Sequence, residues 1–221
     1  MWEYLSQERG LTSETIQTQK IGYATGKGLL SYLYEQNCTL EQAIEAGVVY
    51  DATHEYFAGH IVFPHWVNGR VVYLSARDWP EKSHKKLPRK RVSVNHLYLE
   101  DTLQGKEVIL AEGKTDTLTL RQAGFNACGI LGVTGFKLEW VERFNQVETA
   151  YLAFDGDGPG KQASVKLAKL FGEKAKVVQF PEASGNGSGI KDWNELFVKA
   201  CKGNVEAFRK SHGSKEYDTS A

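Results

Sequence analysis

Two aspartates one residue apart, Asp155 and Asp157, stand behind an apolar run in "TAYLAFDGDGPGKQA". An acid pair at the end of a buried strand suits three chemistries: a calcium loop, an aspartyl phosphotransfer site, or a magnesium site for nucleotidyl transfer. A calcium loop needs a bidentate carboxylate at its twelfth position. Counted from Asp155, the fifth position is Pro159 and the twelfth is Lys166, so that ligand is missing. Further acids lie elsewhere. Glu112 and Gly113 close the apolar run "KEVILAEG", Asp116 follows in "KTD", and Asp192 sits in "IKDWNEL". One or two Mg²⁺ ions held by a few hard carboxylates neutralise the charge that develops during phosphoryl or nucleotidyl transfer. Gly113, Gly156 and Gly158 add no side chain that would keep a phosphate or a metal from the backbone.

The acids can act together only if the fold gathers them. Apolar runs at 107–111, "NACGILG", "TAYLAF" and "AKVVQF" read as strands. Between them, "TDTLTLRQAG" has helical spacing and stops at Gly124. "KLEWVERF" sets Leu138 with Val141 at i and i+3, and Trp140 with Phe144 at i and i+4. "PGKQASVKLAKLFG" has Pro159 near its start and Gly172 at its stop, and "KDWNELFVKACKG" reads as a last helix, after the loop "PEASGNGSG". Strands alternating with helices predict an α/β fold: a Rossmann-like, mostly parallel sheet with helices on both faces. Such sheets bind ligands at the carboxyl ends of their strands. Glu112 and Asp155 each end a strand and Asp192 lies just past another, so the acids are expected along one sheet edge.

The first half is a smaller, mixed α+β region. Thr12 is placed to cap a helix through Ile16, and "LLSYLYEQ" and "TLEQAIEAG" read as helices. Asn68-Gly69 between two β-rich runs predicts a tight hairpin. From Arg70 to Arg91 there are eight Lys/Arg against two acids. We expect a basic N-terminal subdomain over 1–104, a second subdomain over 105–211, and a flexible tail over 212–221.

Composition excludes other classes. The formal net charge is zero over 221 residues, 41% hydrophobic and 24% charged, which is ordinary for a globular protein. No apolar run reaches a membrane span, and "MWEYLSQERG" is too polar for a secretory signal, so the expected setting is cytoplasmic. Cys38, Cys128 and Cys201 are too scattered for a disulfide framework or a cysteine-based zinc site. His54, His60 and His65 read as structural or surface residues, so no zinc is expected. "GYATGKG" departs from a P-loop in spacing and carries Gly28 where Ser or Thr would bind magnesium. It reads as a turn.

"FDGDGP" is locally similar to the haloacid-dehalogenase type of phosphotransferase, but Pro159 replaces that family's Thr or Val. "AEGKTD" followed by "FDGDGPG" resembles the Toprim domain far more fully: a strand ending in E-G, an acid three residues after that Gly, and a later D-x-D. In the first half, "YLSQERGLTSETIQTQKIGYA", "YFAGHIVFPHWVNGRVVYLSARD", "HKKLP" and "NHLYLED" resemble the catalytic core of bacterial and phage DnaG-type primases, over roughly residues 4–200. The resemblance implies a two-metal nucleotidyltransferase that copies single-stranded DNA into short RNA primers from nucleoside triphosphates during replication, in a bacterial or phage-infected cell. Glu112, Asp155 and Asp157 would be the catalytic acids, binding Mg²⁺ or Mn²⁺, with Asp116 and Asp192 as outer ligands. Arg77, Lys85, Lys86 and Arg89 would contact nucleotide or template phosphates. The family's start-site zinc domain and helicase-binding domain have no counterpart here. The resemblance therefore implies either an excised core or a free-standing relative that works with a replicative helicase or a zinc-domain protein in trans. The alternatives are a Toprim metal-dependent nuclease and a non-catalytic primase-derived nucleic-acid-binding subunit.

Overall fold

The computed structural model describes residues 1–78, 83–88, 92, 94–132, 134–179 and 190–213. The chain packs as two compact units. One comprises Met1–Tyr4 and Ser13–His96, and the other comprises Leu5–Thr12 and the chain from Leu97 on. The division thus falls somewhat earlier than the composition suggests, and a short N-terminal segment belongs with the second unit. Among the described residues no helix is long and apolar enough to cross a membrane.

In the first unit, α1 (Ser13–Thr18) leads to β1 (Gly22–Tyr23), α2 (Leu29–Glu35) and α3 (Leu40–Glu45). Thr39 starts α3 with a capping box. Its hydroxyl accepts from the Gln42 amide at 3.3 Å, and the Gln42 side chain accepts from the Thr39 amide at 2.8 Å. Strands β2 (His60–Val67), β3 (Arg70–Asp78) and β4 (His84–Lys86) follow, and among the described residues the sheet runs β1-β2-β3-β4, antiparallel throughout. The expected hairpin is present: Asn68 and Gly69 have φ of 50° and 70°, the left-handed pair that a two-residue turn matched to strand twist needs. Phe57, Tyr73, Ala76 and Leu87 form a core beneath it. His65 is fully buried, with Nδ1 2.8 Å from His96 Nε2 and Nε2 2.9 Å from Ser75 Oγ. It is thus a buried, hydrogen-bonded member of this unit's interior.

In the second unit, β5 (Glu107–Ala111), α4 (Lys114–Gln122), β6 (Ala127–Gly129), β7 (Thr149–Ala153), α5 (Gly158–Phe171) and β8 (Ala175–Val177) alternate, followed by α6 (Trp193–Glu195) and α7 (Val205–Gly213). Among the described residues the sheet order is β6-β5-β7-β8, all parallel. Side chains alternate across it, as the pleat demands. Val108, Leu110, Ala150 and Leu152 join Trp140, Phe144, Leu167 and Phe171 in one core. Ile109, Ala111 and Ala153 join Leu120, Trp193, Phe197 and Phe208 in the other. Two hydrophobic layers with helices on both faces hold the strand ends in place.

Two expected helices differ from an α-helix. Leu138–Phe144 is a 3₁₀ helix. Trp140 and Phe144 are buried, but Leu138 is 66% exposed. Phe136 and Phe171 decide this. Their rings lie 5.9 Å from Trp140 and 4.7 Å from Phe144 respectively, so the aromatic cluster fixes the short segment and leaves Leu138 outside. The last predicted helix is a single α-turn, α6, continued by a π-turn over Leu196–Ala200. The loop at 181–189, Arg89 with the rest of the basic run at 89–91, and most of the expected tail lie outside the described residues.

Candidate active site

The acids are placed by two parallel strands and the helices that follow them. Ala111 of β5 lies opposite Ala153 of β7. Glu112 is therefore one residue past the end of β5, and Asp155 two past the end of its neighbour. Gly113, extended at φ −111° and ψ 161°, opens α4, which carries Asp116, 6% exposed, in its first turn. Gly113 must lack a side chain, since a Cβ there would come within 2.6 Å of Asp116 Oδ2. Gly160, in the first turn of α5, is equally constrained, because a Cβ would run into the Asp155 carbonyl.

Asp157 and Asp192 are each tied to a helix start. Asp157 Oδ1 accepts from the Gly160 amide at 2.8 Å and caps α5. Asp192 Oδ1 accepts from the Glu195 amide at 2.7 Å and caps α6. Capping satisfies an orphan helix N–H and aligns the carboxylate with the positive end of the dipole. Glu112 Oε2 and Asp155 Oδ1 have no such use: both are buried and neither has a hydrogen-bond partner.

The electrostatics show that the acids face one another. Asp155 is pushed up to about 8, by burial first and then by the charges of Asp116, Glu112, Asp192 and Asp157. Asp116 is pushed up to about 7 by burial and Asp192, against the Asn194 amide and Arg9. Glu112 is raised by burial and Asp157, and Asp192 chiefly by burial. All five expected acids thus belong to one unit, and three of them, Glu112, Asp116 and Asp155, are raised by the charges of others in the set.

Does such a site fit a divalent cation? Among the described residues no three His, Cys, Asp or Glu side chains already form a metal-holding group. Magnesium asks for less: it keeps several waters and is commonly held by one or two carboxylates together with substrate phosphates. Two buried, unpartnered carboxylate oxygens on neighbouring strand ends, within a cluster that repels itself, fit that requirement.

A polar cluster behind the acids was not legible beforehand. Asn194, 1% exposed, donates from its backbone to Asp116 Oδ1 at 3.0 Å. Its amide donates to Thr119 Oγ1 at 2.8 Å and to the Arg9 carbonyl at 2.7 Å, and its Oδ1 accepts from Arg9 Nη1 at 3.1 Å. Arg9 and Asn194 are 185 positions apart, beyond any local pattern. The only hint was that each sits in a segment noted for other residues.

The basic residues belong to the first unit. Arg77, on β3, stacks over the Tyr4 ring at 5.5 Å. Lys85, on β4, places its ammonium 4.4 Å from the Tyr56 ring and 5.7 Å from that of Tyr50. Lys86 is exposed.

The parallel sheet with acids at its strand ends defines a Toprim-type domain, here joined to a mainly antiparallel α+β unit. Residues 109–197 match the Toprim-like family, and residues 1–90 match the N-terminal domain of the DNA primase catalytic core. The chain belongs to the DnaG-type primase catalytic cores. A Helicobacter pylori DNA primase is 30% identical over 189 residues, covering 77% of this chain and 33% of the relative. An Arabidopsis thaliana primase homolog protein is 25% identical, covering 86% of this chain and 60% of the relative. The chain therefore spans between a third and three fifths of these relatives. The solved catalytic domain of DnaG primase bound to single-stranded DNA superposes with a TM-score of 0.70 at 23% identity, over 94% of this chain and 68% of that one. This likeness bears out the α/β fold with its smaller α+β partner.

Proposed function

We propose that this chain is the polymerising core of a primase, joining nucleoside triphosphates into short RNA primers along a single-stranded DNA template. One observation carries the reading: Glu112 and Asp155, on adjacent parallel strand ends, each bury a carboxylate oxygen with no protein partner. Such groups are costly unless a cation or a proton completes them. Mg²⁺ or Mn²⁺, when bound, would neutralise the charge developing on the phosphates and favour deprotonation of the attacking hydroxyl. Glu112, Asp155 and Asp157 are the residues that would hold it. Asp116 and Asp192 stand behind them, turned by the Asn194 and Glu195 amides. Gly158, where an added Cβ would meet nothing within 4 Å, leaves the backbone open for phosphate. Arg77, Lys85, Lys86 and Arg89 would grip template or nucleotide phosphates. On the same reading, a replicative helicase or a zinc-binding module is the expected working partner, and the protein acts in replication inside the cell.

The test is incorporation of labelled nucleotide on single-stranded DNA with Mg²⁺ or Mn²⁺, with and without a supplied primer. Wild type should give product, and Asp155→Ala and Glu112→Ala should each lose at least about a hundredfold. Cleavage of DNA without nucleotides would assign the same acids to a nuclease. Bound, intact DNA with no product under any condition would leave only a binding subunit.

A further inference from the structure

The cluster at Asn194 has a property that ordinary packing does not require: every polar atom of a buried side chain is committed, and the pattern fixes which end of the amide is which. Thr119 Oγ1 donates its own proton to the Thr115 carbonyl at 2.9 Å, so toward Asn194 it can only accept. The Arg9 carbonyl can only accept as well. Both must meet the two N–H groups, leaving Oδ1 to take the Arg9 guanidinium N–H. Three segments of the second unit are thereby pinned to one residue: Leu5–Thr12 through Arg9, α4 through Thr119, and the turn that begins α6.

That turn needs pinning. It is a single α-turn, Trp193–Glu195, closed by the Leu196 amide on the Asp192 carbonyl at 3.0 Å, and its ladder changes to the wider π spacing at Leu196–Ala200. Yet it presents two groups to the acids: the Asn194 amide on Asp116 and the cap that orients Asp192. The side chain of Asn194 touches neither carboxylate; it fixes the backbone that touches one and carries the other.

Building on the Toprim reading of these acids, we propose that the Asn194 side chain, clasped between Arg9 and Thr119, is a positioning device for the outer half of the acid set. It holds Asp116 and Asp192 in register with Glu112 and Asp155. The consequence is a site whose cation affinity in the absence of nucleotide depends on a buried amide that never contacts the cation. Groups of this rank commonly alter metal affinity by about 10- to 100-fold when removed.

The experiment is Mn²⁺ binding to the whole chain without nucleotide or DNA, read by paramagnetic resonance of free Mn²⁺, with thermal melting alongside. Asn194→Ala should weaken binding about tenfold. Thr119→Val, which changes no charge and keeps the shape, should weaken it several-fold even if Asn194→Ala does not fold. Thr119→Ser keeps the hydroxyl and should bind as wild type does. Val147→Ala, in the opposite hydrophobic layer, should melt lower with unchanged affinity, which separates position from stability. Wild-type affinity in Thr119→Val, or in a folded Asn194→Ala, overturns the proposal and leaves the Toprim reading intact. Failure of wild type to bind Mn²⁺, or binding untouched by Asp155→Asn, overturns both.

Discussion

At the scale of single residues the acids act as stored electrostatic tension. Asp155 and Asp116 stand at about 8 and about 7 against an ordinary 3.8. In the cation-free protein the folded chain therefore keeps protons that the unfolded chain has already released once the pH passes about 4. Stability from these groups is full below that point and is lost as the pH rises through the folded values. Melting temperature in chelator should fall by at least about 5 °C between pH 5 and pH 8.5. Asp155→Asn, which cannot ionise, should shrink that fall, and millimolar Mg²⁺ at pH 8.5 should reverse it in wild type but not in the variant. A wild-type melting curve insensitive to pH over this range would show that the acids do not confront one another. The position of these residues was legible because a D-x-D behind one apolar run and an E-G behind another are local patterns. Their unpartnered oxygens were not, because a missing hydrogen bond depends on everything that fails to come near.

At the scale of elements, the helix starts do two jobs at once. Asp157 is both an expected catalytic acid and the cap of a 14-residue helix. The two roles separate by substitution. Asn caps about as well as Asp, whereas Ala costs about 1 kcal/mol. Asp157→Asn should therefore melt within a degree or so of wild type, and Asp157→Ala about 2–4 °C lower, while both abolish nucleotide incorporation. Equal melting of the two would deny the cap, and incorporation by the Asn variant would deny the chemistry. The same scale shows where sequence pattern stops. The strand runs, the Asn68-Gly69 hairpin and the Pro159-to-Gly172 helix were readable because short-range stereochemistry decides them. The i, i+3 and i+4 spacing of "KLEWVERF" predicts an amphipathic helix, but the segment is 3₁₀, because that spacing says nothing of Phe136 and Phe171, which choose Trp140 and Phe144 over Leu138. The clasp at Asn194 escaped notice for a similar reason: its partners come from segments far apart in the chain.

At the scale of the whole molecule, the balance of 27 basic and 27 acidic residues sets how a polyanion can be held. There is no global field to draw a strand in, so affinity must come from local contacts, and each neutralised phosphate should leave its trace in salt dependence, about 0.7 in the slope of log K against log salt for a single strand. The two described lysines of β4 should differ in this respect. Lys86 is exposed, and the half-buried Lys85 holds its ammonium over Tyr56 and Tyr50. If the first unit grips the template, Lys86→Ala should weaken binding of a short single-stranded DNA and reduce the slope by about 0.7. Lys85→Ala should change the slope less and instead lose about 0.5–1 kcal/mol of stability from the cation–π contact. Titrating fluorescent oligonucleotide at several salt concentrations measures both slopes. Identical slopes in wild type and Lys86→Ala would remove β4 from the template path and shift the expected phosphate contacts to Arg77 and to the basic run beyond it.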